Sequence, residues 1–420
     1  MQSLSLDELV ADPNAERLNV LMIAPNCDGT DVGEAWRAFK WVKAMAEIAN
    51  VTLISFQRHG QVPVTDQLPD VEIITFDEPV FSNERLNAML KPGYPWFFFK
   101  VKSWIRKNQA AGRVFDVGHQ VTPSALRYPS PFLDTGIPYI LGPVGGSMAT
   151  PRSFRSECRG APWFVRLRML DRIRLAGDPF LRRSFKQAAA VIGVAPYVGE
   201  LLSIADVNEY YLHSELTIDD LAPVNARRSL ASGEIKLLHV GRGVRTKGLR
   251  DLVRAMAQLK DLSGVTLDSA GGGEEIEICK REAIELGVAD RITFHGHVSR
   301  EEVEALYRKS DVFVFPSFRE PSGRVISEAL RWGLPVVTTN LGGPGSVINA
   351  SCGFTLPVED PEQLATDLAS TIRRIAKEPF HLVPKSIGGR RIVAEQGLWR
   401  RKANVMLGCY QSVAKQAELA

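Results

Sequence analysis

The chain has 420 residues, 45% of them apolar and 24% charged, with a net charge of +3. That balance excludes disordered, collagenous and disulfide-scaffold classes, and the length exceeds what one hydrophobic core usually serves, so two domains of roughly 200 residues each are expected. Cys27, Cys158, Cys279, Cys352 and Cys409 are scattered and form no Cys-x-x-Cys pair, which speaks against a disulfide framework or zinc site and for a reducing, cytoplasmic setting.

The N-terminal stretch MQSLSLDELVADPNAERLNV carries acidic residues where a signal peptide is basic. Its apolar run, Leu18 to Pro25, is far short of the ~20 residues needed to cross a bilayer. The following runs LNVLMIAP, NVTLISF, VEIITF, FDVGHQVT, IPYILGPV and AAVIGVA read as strands. They are continuously apolar, as strands covered on both faces are, and amphipathic stretches separate them, so the fold class is α/β with parallel sheets. The first strand leads into APNCDGTDVGEAW, where Gly29 and Gly33 make either an ordinary turn or a loop that approaches a ligand closely. His119 follows a strand, a position where a lone histidine is more often structural. GPVGGS, residues 142 to 147, is a further glycine-rich strand end.

Two stretches of this half mix aromatic and basic residues. PGYPWFFFKVKSWIRKN sets Tyr94, Trp96, Phe97, Phe98, Phe99 and Trp104 among Lys100, Lys102, Arg106 and Lys107. Residues 152–186 hold nine arginines and one lysine against Glu157, Asp171 and Asp178, with Trp163, Phe164 and Phe180 interleaved. The alternatives are a core helix and a solvated face; taken together, residues 94–107 and 152–186 suggest an anionic membrane surface on the inner face of the cell membrane. No nucleic-acid module accompanies them, so nucleic acid is not expected.

YYLHSELTIDDLAPVNARRSLASGE is polar and lacks periodicity, which places an interdomain linker near residues 215–234. EIKLLHVGRG then opens a fresh series of strands: VTLDSAGGG, ITFHGHV, DVFVFPS, LPVVTTN and GFTLPV. The expected domains are 1–220 and 221–395, with 396–420 as a C-terminal helix returning to the first. Two open parallel sheets facing one another would bring their strand-end loops to one interdomain cleft.

GRGVRTKG puts Arg242 at a strand end and Lys247 at the start of the next helix. Fixed cations there suit the growing charge of a departing diphosphate, although a solvated basic turn has the same composition. Gly271 to Gly273 supply either close backbone approach or a tight turn, and the glutamates that follow rule out a dinucleotide fingerprint. In FREPSGRVISEAL, Glu320 precedes a helix and Glu328 lies within it. Eight residues at about 1.5 Å each span roughly 12 Å, the reach from a hexose across a diphosphate to a ribose. Carboxylates accept paired hydrogen bonds from vicinal hydroxyls, and the amides of Ser322, Gly323, Arg324 and Val325 would offer a helix N-terminus to phosphate.

In that order VGRGVRTKG, AGGGEE, DRITFHGHVSREEVEALYRKSDVFVFPS, the glutamate pair and GLPVVTTNLGG closely resemble the GT-B glycosyltransferases of family 4, retaining enzymes, over residues 235–375. The resemblance implies a GT-B fold of two Rossmann-like domains and a UDP- or GDP-sugar donor, with no metal cofactor. It implies that Arg242 and Lys247 hold the diphosphate, Glu320 the transferred sugar and Glu328 the ribose, while His297 and Val298 lie by the base. Gly29 and Gly33 would face the donor, and His119 would stand beside the reacting sugar. A glycan or lipid-linked acceptor follows from the same resemblance. The sequence departs from the commonest family pattern at Ser322, at Arg324 and in PGSVIN after the double glycine. A sugar-nucleotide epimerase, a phosphorylase and a non-catalytic sugar-nucleotide-binding protein are the alternatives.

Overall fold

The computed structural model describes residues 4–79, 91–158, 170–223 and 234–419. The chain divides into two compact units, one of Met1–Ser147, Pro162–His213 and Trp399–Ala420, the other of Met148–Ala161 and Ser214–Leu398.

In the first unit the strands are β1 (Leu4–Ser5), β2 (Asn19–Ile23), β3 (Asn50–Gln57), β4 (Glu72–Asp77), β5 (Val117–Gln120), β6 (Tyr139–Val144), β7 (Ala190–Gly193) and β8 (Tyr210–Leu212). They form one parallel sheet in the order β1-β8-β7-β6-β5-β2-β3-β4. Alternate residues of a strand point to opposite faces, and here both faces are covered. Leu21 and Ile23 join the core beneath helix Tyr94–Ala110. Val20 and Met22 join the core beneath helices Glu34–Ala46 and Trp399–Leu419. Burial on both sides is the physical reason the strands read as unbroken apolar runs.

Helix Trp399–Leu419 buries Trp399, Ala403, Met406, Tyr410 and Val413, a stripe at steps of three and four residues. Helix Tyr94–Ala110 buries Tyr94, Phe97, Phe98, Val101 and Ile105, each large side chain contributing about 1.5–3 kcal/mol of transfer free energy. The aromatic stretch is thus a core helix, and only Trp96 and Phe99, 38% and 68% exposed, face outward. Of the basic stretch, residues 159–169 lie outside the described residues.

The second unit's strands are β9 (Ile235–Val240), β10 (Val265–Ala270), β11 (Ile292–Gly296), β12 (Val312–Phe315), β13 (Val336–Thr339) and β14 (Gly353–Leu356). They too are parallel, in the order β11-β10-β9-β12-β13-β14. The chain builds outward from β9 to β11, then returns to the other side of β9 with β12.

Two stretches differ from the reading of the sequence. Tyr210–Leu212 in the polar segment is a strand, and Leu216 and Ile218 just after it are buried in the second unit; residues 224–233 of the expected linker lie outside the described residues. Residues 148–161 belong to the second unit, because Phe154 is wholly buried there with its ring 4.3 Å from that of Phe318. Glu157 of the same segment accepts from Arg245 Nε at 2.7 Å and Arg254 at 3.0 Å.

Candidate active site

In an open parallel sheet, ligands bind outside the carboxyl ends of the strands where the strand order reverses. In the second unit that place lies between β9 and β12. The loop after β9 carries Arg242 and Lys247, and the loop after β12 carries Arg319 and Glu320.

Lys247 ends a short 3-10 turn, Arg245–Lys247. Its neighbour Arg245 is clamped by Asp251 through two bonds of 2.6 and 2.7 Å, which pins the turn to the next helix. Lys247, only 8% exposed, forms an ion pair with Oε2 of Glu320. The other oxygen of Glu320 accepts the amides of Ser322 at 3.2 Å and Gly323 at 3.1 Å. Burial alone would push the Glu320 carboxyl up, but Lys247 and the two amides outweigh it and leave the group below the ordinary carboxylate range. It is therefore an ionised, fixed acceptor rather than a proton donor.

The loop is held by glycines. Gly343 donates its amide to the Glu320 carbonyl at 3.1 Å. Gly342 has φ +64°, and a Cβ there would stand 2.1 Å from the same carbonyl oxygen. Gly323, at φ +75°, opens helix Arg324–Arg331, where a Cβ would meet Pro344 at 2.8 Å. Only glycine tolerates that backbone at no steric cost.

Glu328, on that helix, accepts from Tyr307 Oη at 3.2 Å and stands 3.3 Å from Arg324 Nε. Burial raises its carboxyl above the usual range, and Arg324 and Tyr307 offset this only in part. The amides of Ser322 and Gly323 are taken by Glu320, which corrects their expected use as phosphate donors. Among the described residues Arg242 makes no side-chain hydrogen bond or ion pair.

Gly271 to Gly273 let two loops of the protein meet backbone to backbone: Gly243 donates to the Gly272 carbonyl at 2.8 Å, and a Cβ on Gly271 would stand 1.8 Å from the Gly241 carbonyl. His297 is exposed, its ring close to Gly272, and Val298 is half-buried beside it. The reading of the sequence passed over Arg319 and its partner Thr150, whose hydroxyl accepts from Arg319 Nη1 at 2.9 Å. The available signal was position, since Arg319 stands directly before Glu320.

In the first unit the strand order reverses between β2 and β5. Gly29, in the loop after β2, donates its amide to Gln67 at 2.7 Å, and Gly33, at φ +68°, precedes helix Glu34–Ala46. Glu34 accepts from the Ser124 amide at 2.6 Å and pairs with Lys91 at 2.7 Å. Burial opposes its ionisation, yet Lys91 and Arg37 bring its carboxyl down to about 2. Nothing in the sequence singled out this network.

His119 requires a correction. It is fully buried, with Nδ1 2.6 Å from Tyr410 Oη and Nε2 2.7 Å from the Gly142 carbonyl. Burial lowers its basicity to about 4, although the Gly142 carbonyl raises it somewhat. Both ring nitrogens are used inside the core, so His119 cannot touch a reacting sugar. Among the described residues no three His, Cys, Asp or Glu side chains are grouped to hold a metal ion, and no helix is long and apolar enough to cross a membrane.

Parallel sheets of this order in both units define the Rossmann-like architecture of the GT-B fold, and residues 225–377 match the family model for glycosyl transferases group 1. The second unit therefore carries a glycosyltransferase group 1 domain. Glycogen synthase of Mycobacterium tuberculosis is 32% identical over 198 residues, 47% of this chain and 46% of that protein. The D-inositol 3-phosphate glycosyltransferase of Mycobacteroides abscessus is 31% identical over 200 residues, 46% of this chain and 43% of that protein. The chain thus spans about half the length of the curated relatives it matches. Sucrose-phosphate synthase from Thermosynechococcus elongatus superposes with a TM-score of 0.66 at 20% identity, over 95% of this chain and all of that one. Anabaena HepE in complex with UDP and glucose does so with 0.60 at 16% identity, over 96% of this chain and 100% of that one.

Proposed function

We propose that the protein is a retaining, metal-independent glycosyltransferase of family 4 that moves a sugar from a UDP- or GDP-sugar to a hydroxyl of a lipid-linked or polysaccharide-precursor glycan. The observation that carries this reading is the Lys247–Glu320 pair at the point where the strand order reverses, with Glu328 on the adjoining helix. Glu320, ionised and fixed, accepts hydrogen bonds from the sugar hydroxyls. Glu328 accepts those of the ribose, and His297 and Val298 border the base. As the bond from the anomeric carbon to the diphosphate breaks, Arg242 and Lys247 stabilise the growing negative charge, the part a metal commonly plays. The acceptor oxygen bonds to that carbon on the same face, and its proton passes to the departing phosphate. The UDP-bound relative HepE supports the donor class.

The test is transfer by Lys247→Ala and Glu320→Ala; near-normal turnover in both variants sinks the assignment. Product analysis separates transfer from epimerisation, phosphorolysis and mere binding. Peripheral membrane association is part of the same reading, narrowed to the exposed Trp96, Phe99 and Phe180 with the exposed Lys100, Arg172 and Arg182. Failure to co-sediment with anionic vesicles at low salt removes it.

A further inference from the structure

Among the described residues, the cations of the second unit's two strand-end loops and of the helices that follow them are, with two exceptions, matched to carboxylates. Arg245 has Asp251 and Glu157, Lys247 has Glu320, Arg250 has Glu275, Arg254 has Glu157 and Glu282, and Arg324 has Glu328. Arg242 and Arg319 have none among the described residues. They sit on the loops after β9 and β12, the two strands that flank the reversal point.

We propose that Arg319, oriented by Thr150, is a second guanidinium of an anion site that it forms with Arg242, and that this site takes the diphosphate of the donor and of the departing nucleotide. The inference rests on the donor reading above. Arg319 is half-buried, and its Nη1 is held by a neutral hydroxyl rather than a carboxylate. Its charge is therefore left unneutralised, while one edge of its planar fork is fixed in direction. A guanidinium so held suits the paired oxygens of a phosphate. Burial lowers the basicity of Arg319, and so does the like charge of Arg242, with Cys158 opposing in part. Thr150 is supplied by the segment that Phe154 anchors in this unit, which gives that segment a positioning role. Met148 of the same segment lies against Gly342, the glycine behind the Glu320 carbonyl.

The experiment is calorimetric titration of the full chain with UDP, GDP and inorganic pyrophosphate. Charged hydrogen bonds contribute about 1.5–3 kcal/mol, so Arg319→Gln should weaken diphosphate binding by about ten- to hundredfold. Arg319→Lys should recover part of the loss, and Arg373→Gln, at a distant exposed ion pair, should lose nothing. Thr150→Val should weaken binding less than Arg319→Gln and add nothing further in the Arg319→Gln background, whereas Thr150→Ser should bind as the unaltered protein does. Arg319→Gln that melts normally yet binds UDP and GDP undiminished overturns the inference, and losses at Thr150 and Arg319 that simply add overturn the positioning role. Pyrophosphate binding that depends on Arg319, with neither UDP nor GDP bound by the unaltered protein, keeps the anion site and sinks the donor reading instead.

Discussion

Replacing Lys247 by methionine removes the charge opposite Glu320 while keeping most of the side-chain volume. The two side chains are only 10% and 14% exposed, so the variant leaves a nearly buried carboxylate with two amide donors. Breaking a buried pair from one side costs about 3–5 kcal/mol, and the two remaining amides place the expected loss near the lower end, about 3 kcal/mol at pH 7. The sign of its pH dependence follows from the carboxyl. In the unaltered protein Glu320 lies below its unfolded value of 4.5, so it adds stability above that value that is lost as pH falls through the folded one. Without Lys247, burial dominates and lifts the folded value above 4.5, so the ionised group opposes folding at neutral pH and protonation relieves it. The difference between the two proteins should therefore shrink as pH falls from 7 towards 4.5. Urea unfolding followed by tryptophan fluorescence at several pH values measures this. A deficit below about 1 kcal/mol, or one that stays constant across that range, refutes the reasoning.

Glu328→Gln should weaken UDP or GDP binding roughly tenfold, the value of one charged hydrogen bond, and leave binding of the 2′,3′-dideoxy nucleotide unchanged; equal losses for both ligands would remove Glu328 from the ribose. Gly342→Ala and Gly60→Ala both impose a side chain at positive φ, but only the first meets backbone, at 2.1 Å, while nothing lies within 4 Å of the second. Gly60→Ala should cost about 1–2 kcal/mol and Gly342→Ala clearly more in a thermal melt, with lost transfer as Glu320 shifts. His119 should stay neutral in the folded state down to about pH 4. The stability it supports above pH 6.5 should be lost between 6.5 and 4, up to about 3 kcal/mol, and His119→Asn should flatten that part of the unfolding free energy against pH. Tyr410→Phe leaves Nδ1 of His119 buried without its partner and should destabilise by about 1–3 kcal/mol without changing the diphosphate affinity.

Most strands were legible because the central ones are buried on both faces, which forces the long apolar runs that mark them, and the edge strands β4 and β11 still keep short apolar stretches. β1 and β8 were not, since at two and three residues neither has room for a pattern, and β1 is defined only by pairing with β8, about 200 residues away. The glutamate pair was legible because loop and helix are contiguous. What Glu320 is bonded to was only partly so: the ion pair joins residues 73 apart in sequence. Thr150 and Arg319 are 169 apart, and His119 and Tyr410 are 291 apart. The ring of His119 shows why composition misleads at such places, for a histidine facing a ligand and one saturated by a tyrosine and a carbonyl look the same until the fold supplies the partners. The aromatic run after Gly93 failed for a related reason, since helical spacing splits one continuous stretch between core and solvent.

The last helix has a consequence for biosynthesis. Trp399, Met406 and Tyr410 complete the core against which Trp41 and β5 rest, yet they leave the ribosome after every residue of the second unit. The first unit to be synthesised is thus the last to be finished, and its sheet must wait, with one apolar face covered by helix Glu34–Ala46 but still lacking its last helix, while a whole later unit is made. A nascent chain halted before Trp399 would present the uncovered part of that face to chaperones, although all eight strands of its sheet had already emerged.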